Sequence, residues 1–190
     1  MFKESISNEE LTEMPLKWFE GRIVLVDTDR KLQQAVEELA KHRIIGFDTE
    51  TKPSFKKGVG NKVALLQLST RTTAYLIRIN RVGLSDELRS ILSDKNIIKP
   101  GVAIRDDIKG LQDITAFEPA GFVELQEQAK DMGIQNFSLK KLTAIACGFR
   151  ISKGQQLSNW EAPELTEAQQ IYAATDAWAA LVIFENFSNN

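Results

Sequence analysis

A chain of 190 residues with 43% hydrophobic and 26% charged side chains suits one globular domain with a core of its own. One cysteine, Cys147, and one histidine, His42, exclude an intramolecular disulfide and a cysteine–histidine zinc site, and no apolar run reaches the roughly 18–20 residues of a membrane span. The net charge of −2 excludes a uniformly basic coat, although Lys52, Lys56, Lys57 and Lys62, then Lys140, Lys141, Arg150 and Lys153, form two stretches free of acids, readable as solvated faces or as local contacts for phosphates.

Residues 1–21 read as an amphipathic lead-in with a short helix from about Asn8 and no secretory signature, so a cytoplasmic protein is expected. The domain proper is expected over 22–190, opening on a β-rich run at 22–26. Thr28 or Asp29 caps a helix with Leu32, Ala35, Val36 and Leu39 on one face. An apolar strand at 44–48 leads into a loop with Pro53, Gly58 and Gly60. Strands at 63–68 and 73–77, separated by a polar turn, predict a hairpin. Leu84, Leu88, Ile91 and Leu92 mark a helix, and a short strand at 97–99 is expected to stop at Pro100 and Gly101. Ile104, Ile108 and Leu111 share a helical face, 122–125 reads as a last strand, and helices follow near 126–132 and 138–147. Thr166 and Gln169 form a capping box for a final helix reaching about Phe187. Antiparallel strands followed by helical crossovers predict an α/β domain with a mixed sheet.

Three features are candidates to carry chemistry. Side chains alternate along a strand, so Asp48 and Glu50 leave the apolar run on the same side, where desolvation makes an uncompensated pair costly. A divalent cation relieves that cost, and oxygen ligands select hard ions such as Mg²⁺ or Mn²⁺. Tyr172 and Asp176 lie four residues apart, on one face of an otherwise apolar or small-residue helix. Asp106 and Asp107 open the middle helix, where the macrodipole favours carboxylates, so a capping role stands beside a ligand role.

In this order and spacing, Asp48, Glu50, Asp107, Tyr172 and Asp176 resemble the motifs of the DEDDy 3′–5′ exonucleases, of the Werner-exonuclease-like and ribonuclease D-like kind. The likeness extends to 62–68, 99–104, 138–142, 158–160 and 165–177, and covers about 22–187. A gap-free match from Gly101 to Leu111 selects Asp107 and leaves Asp106 as a rival.

The resemblance implies an RNase H-like fold, a mixed central sheet flanked by helices. It also implies hydrolysis of phosphodiester bonds from the 3′ end by two divalent cations, releasing nucleoside 5′-monophosphates. Asp48 would bridge both ions, Glu50 and Asp176 would complete one site, Asp107 would hold the second, and Tyr172 would orient the attacking water. The implied partner is nucleic acid with a free 3′ end, DNA favoured and RNA open, with no membrane partner. The main-chain groups around Thr49 and the ring of Trp160 are candidates to hold the terminal nucleotide, with core packing the other reading of Trp160. Lys140, Lys141, Arg150 and Lys153 are candidates to meet the strand backbone. The competing function is a catalytically silent nucleic-acid-binding module of the same fold.

Overall fold

The computed structural model describes residues 2–53 and 62–189; Lys56 and Lys57 of the first basic stretch, and Gly58 and Gly60 of the expected loop, lie outside them. Helix α1 (Asn8–Glu13) starts at a capping box in which Ser7 and Glu10 each accept the other's backbone N–H. Strand β1 (Arg22–Val26) leads to α2 (Asp29–Leu39), where the Thr28 hydroxyl accepts from Lys31 N and Leu32, Ala35 and Leu39 turn inward. β2 (Gly46–Thr51), β3 (Val63–Ser69) and β4 (Thr73–Ile77) follow, then α3 (Ile79–Val82) and α4 (Asp86–Ser93). The remainder is β5 (Lys99–Gly101), α5 (Arg105–Gln112), β6 (Phe122–Glu124), α6 (Leu125–Asp131), α7 (Leu139–Cys147) and α8 (Glu167–Ser188).

The main sheet runs β1-β4-β3-β2, with β1 parallel to β4 and both other pairs antiparallel. The pair β5-β6 is parallel, and a single parallel bridge, Ile44 to Ile98, carries it alongside the start of β2. This is the mixed sheet expected from the hairpin and the later crossovers. One face packs on α2, α4 and α5 through Leu32, Leu39, Phe47, Leu66, Leu68, Leu88, Ile91 and Leu111. The other face carries α8. β3 is buried along its whole length, which explains why it reads as a near-continuous apolar run.

Three boundaries differ from expectation. The strand expected at 44–48 is laddered from Gly46 to Thr51, because β3 supplies partners as far as Thr51 while Ile44 makes only the bridge to Ile98. Apolar character reports burial, and hydrogen bonding continues past it. The strand expected to end at Lys99 includes Pro100 and Gly101, which pair with Val123 and Glu124 of β6. A three-residue strand tolerates the missing proline donor, and Gly101 is needed there: a Cβ would lie 2.4 Å from Ile104 Cγ2 and 2.9 Å from Phe47 O. The last strand ends at Glu124, and Leu125 opens α6. The single turn of α3 carries too short a pattern for periodicity to reveal it.

Helix α8 begins at the anticipated capping box, in which Gln169 N donates to Thr166 Oγ1 (3.2 Å) and Thr166 N donates to Gln169 Oε1 (2.9 Å). It is apolar on all sides and correspondingly buried, with the sheet on one flank and α6 and α7 on the other. Burying each large side chain such as Leu181 or Ile183 contributes about 1.5–3 kcal/mol. Gly46 lets the helix descend onto β2: a Cβ there would stand 1.9 Å from the Ala177 carbonyl oxygen. The lead-in is strapped to the body by Gln135 N to Glu4 O (2.7 Å), Ile6 N to Asn136 Oδ1 (2.8 Å), Lys17 N to Arg150 O (2.9 Å) and Phe19 N to Thr175 Oγ1 (3.0 Å). Among the described residues no helix is long and apolar enough to cross a membrane.

Candidate active site

Strand β2 and helix α8 bring four of the sequence-selected side chains together. Asp48, Glu50 and Asp176 each offer a carboxylate oxygen, and the three lie within 4.8 Å of one another. Asp176 is buried, while Asp48 and Glu50 are half-buried on the floor of a cleft of ≈ 260 Å³. Tyr172 lies one helical turn before Asp176 on the same face, and its hydroxyl lowers the proton affinity of the Asp176 carboxyl.

Alternation along β2 sends Thr49 the other way, and its hydroxyl donates to Asp107 Oδ1 on α5. Asp106 is exposed beside Lys109 and Lys130, so of the two neighbouring aspartates it is Asp107 that packs against β2. Asp107 stands outside the tight trio and close enough to raise the proton affinity of Asp48 and Glu50.

Burial and mutual repulsion dominate the electrostatics of these acids. Burial, then the charges of Asp176, Glu50 and Asp107, hold Asp48 well above the usual carboxylate range. Burial, then Asp176 and Asp107, push Glu50 up to about 9. Burial raises Asp176, against the opposing pull of the Tyr172 hydroxyl and the Lys153 ammonium. Burial and the neighbouring acids push the Tyr172 phenol upward, so it is a hydrogen-bond donor and not a base. A divalent cation fits this donor set: three carboxylate oxygens converge at ligand spacing, and burial with mutual repulsion raises their proton affinity despite the nearby Lys153 ammonium.

The substrate-contact candidates divide. Lys140 and Lys153 line the cleft, joined by Val102 and Leu139 from the family-like segments 99–104 and 138–142 and by Ile151, Ser152 and Gln156, which no pattern in the sequence marks. Lys141 and Arg150 are engaged elsewhere: Lys141 Nζ donates to Ile6 O (3.0 Å) and Arg150 Nε to Met14 O (3.0 Å), so both fasten the lead-in. Charge is legible in a sequence; which backbone lies within its reach is not. Trp160 is fully buried, its ring 6.0 Å from that of Tyr172, and its core reading is the one realised. It shores up Tyr172 from behind and offers no face to a base. Thr49 lines the cleft. Its most evident contribution is the hold on Asp107.

Residues 23–190 match the family described as 3′–5′ exonuclease. The chain is 35% identical over 153 residues to the mouse bifunctional 3′–5′ exonuclease/ATP-dependent helicase WRN, a match covering 77% of this chain and 11% of that protein. It is 29% identical over 188 residues to an Arabidopsis thaliana 3′–5′ exonuclease, covering 90% of this chain and 65% of the relative. It thus spans less than two thirds of either. Among solved structures, the EXO domain of Aedes aegypti Nibbler superposes with a TM-score of 0.81 at 25% identity, covering 92% of this chain and 91% of that one. Escherichia coli RNase D superposes at 0.79 with 24% identity, covering 88% and 44%. The central mixed sheet flanked by helices is the RNase H-like fold of these neighbours.

Proposed function

The chain belongs to the 3′–5′ exonuclease family, and from that premise we propose that it removes nucleotides from the 3′ end of a polynucleotide by metal-assisted hydrolysis, using two divalent cations, Mg²⁺ or Mn²⁺. The observation that carries this reading is the convergence of Asp48, Glu50 and Asp176 within 4.8 Å, with Asp107 held against the same strand by Thr49 and close enough for its charge to act on Asp48 and Glu50. Asp48, Glu50 and Asp176 would hold one ion, and Asp48 with Asp107 the other. The bound ions supply a lowered pKa for the attacking water and charge stabilisation for the leaving 3′ oxygen.

The chain's own residues do the positioning. Tyr172 is a donor fixed by Asp176 on one side and Trp160 on the other, suited to orienting a water at the scissile phosphate. Lys140 and Lys153 place positive charge on the cleft wall, where a strand's phosphates would run. The apolar wall of Val102, Leu139 and Ile151 suits the terminal nucleoside. The product would be a nucleoside 5′-monophosphate. DNA is the first substrate to assay, and a Trypanosoma brucei RNase D, solved in complex with RNA U12, makes RNA the second.

The test is digestion of 3′-recessed duplex, single-stranded DNA and RNA with Mg²⁺ or Mn²⁺, comparing the wild type with Asp48→Ala, Asp176→Ala and Tyr172→Phe. Shortening from the 3′ end should vanish in both aspartate variants and slow in Tyr172→Phe, whose metal binding stays intact. No metal-dependent shortening by the wild type, or shortening indifferent to both aspartate changes, rejects the reading.

A further inference from the structure

Ala103 is the sole described residue other than glycine with a positive φ, 59°. L side chains rarely adopt this left-handed backbone, so something must hold it. It stands immediately before α5, the helix that presents Asp107. Ile104, at the N-cap of α5, supplies no side-chain acceptor for the helix's first N–H groups. The acceptor comes from another element. The Glu124 carboxylate on β6 takes Ala103 N on Oε1 (2.9 Å) and Ile104 N on Oε2 (2.8 Å). The same carboxylate caps α6 by accepting from Gln126 N (3.1 Å). One side chain therefore ties the starts of α5 and α6 together and clamps the left-handed residue between β5 and α5.

We infer that Glu124 is a positioning residue for the reaction: through Ala103 it sets the first turn of α5, and so the place of Asp107 against Thr49 and the carboxylate trio. The inference rests on the exonuclease reading above. Glu124 itself is turned to backbone N–H groups. It lines the groove outside the cleft with Arg105, Asp106 and Lys109, and it is absent from the cleft wall. Its hold on the position of Asp107 is transmitted through backbone, while its charge also raises the proton affinity of the Asp107 carboxyl, a charge that the neutral Glu124→Gln removes without removing the acceptor. Glycine adopts positive φ freely, so Ala103→Gly relieves the need for the clamp. That makes the role separable from a general contribution to folding.

The experiment uses the full chain as wild type, Glu124→Ala, Ala103→Gly and the double variant, with two readouts. On a 3′-end-labelled oligonucleotide with Mn²⁺, Glu124→Ala should lower kcat by about tenfold to a hundredfold, the scale of a displaced catalytic group, with KM moved far less. In the double variant kcat should return to within about threefold of Ala103→Gly, as expected when two changes act on one element. In metal-free protein, the amide protons of Ala103 and Ile104 should lose protection from exchange in Glu124→Ala. There the ¹³C resonance of the Asp107 carboxyl should shift, and return in the double variant. Unchanged kcat and an unmoved Asp107 resonance in Glu124→Ala overturn the inference, as does a loss that Ala103→Gly fails to recover. Glu124→Gln, which keeps the volume and one acceptor oxygen, should fall between wild type and alanine and takes the alanine variant's place if that does not fold. A wild type that digests nothing would reject the exonuclease reading, and the metal-free resonances would still decide whether Glu124 places Asp107.

Discussion

The Thr49 hydroxyl donates to the Asp107 carboxylate across 58 positions of sequence, joining strand β2 to helix α5. This bond and the α8 packing act on opposite faces of one strand. Asp48 and Glu50 meet Asp176 on one side, and Thr49 reaches Asp107 on the other. A single stretch, 48–50, therefore addresses all the acids of the candidate site.

Thr49→Val keeps the side-chain shape and removes the donor. A hydrogen bond to a charged group is worth about 1.5–3 kcal/mol, so metal-dependent activity is expected to fall by about tenfold to a hundredfold. Thr49→Ser should recover most of it. Calorimetric titration with Mn²⁺ should show the site of Asp48, Glu50 and Asp176 retained and the Asp107 site weakened; equal weakening of both would refute the division of ligands.

The crowded acids make stability depend on pH in a stated direction. Glu50 holds its proton up to about 9 when folded, against 4.5 as its ordinary value, and Asp48 and Asp176 shift the same way. The folded state thus binds more protons than the unfolded chain between those limits, so stability is greatest at the acid end and declines as pH rises towards 9. Metal-free protein should melt at a lower temperature at pH 8 than at pH 6. Added Mn²⁺ should raise the melting temperature more at pH 8, because ligands must be deprotonated to bind. A metal-free melting temperature that rises over this window would contradict the assignment.

Lys140 and Lys153 should separate from Lys141 and Arg150 in salt dependence. A lysine that neutralises one phosphate steepens the slope of log affinity against log salt by about 0.7–0.9, and its removal flattens the slope by the same amount. Lys153→Ala and Lys140→Ala, assayed by fluorescence anisotropy with a labelled oligonucleotide, should each weaken binding and flatten that slope. Lys141→Ala and Arg150→Ala should leave the slope unchanged and instead loosen the lead-in, seen as faster amide exchange over 6–17.

Trp160→Ala removes a fully buried side chain and should cost about 3–5 kcal/mol in denaturant unfolding. Trp160→Phe should cost much less and leave KM for an oligonucleotide unaltered. A rise in KM for the phenylalanine variant with unchanged stability would restore a base-stacking role.

Much of this arrangement is written in local pattern. The capping box at Thr166, the apolar run of β3, and the four-residue spacing of Tyr172 and Asp176 each follow from neighbours in sequence, and each is realised. What escaped the sequence is made between distant segments. Lys141 reaches Ile6, Arg150 reaches Met14, and Glu124 reaches Ala103, and in each case a side chain meets backbone that no periodicity predicts. The choice between Asp106 and Asp107 belongs to the same class. Both suit a first helical turn, and the Thr49 hydroxyl distinguishes them only once β2 and α5 are adjacent.

At Gly46 the two halves of the ligand set are pressed together main chain to main chain, with the Ala177 carbonyl where a methyl group would need to be. Such a contact has no rotamer to change. The spacing between the strand's acids and Asp176 is settled when the chain folds, and an ion bound as proposed would have little gathering of ligands left to do. A frame of that kind sorts ions by radius: Mg²⁺ holds oxygen at about 2.0–2.1 Å in near-ideal octahedra, whereas Ca²⁺ asks for 6–8 oxygens at about 2.3–2.6 Å from a shell that can give way. On the proposed reading, the smallest side chain in the strand would thereby act on ion size, a property usually credited to the ligands themselves.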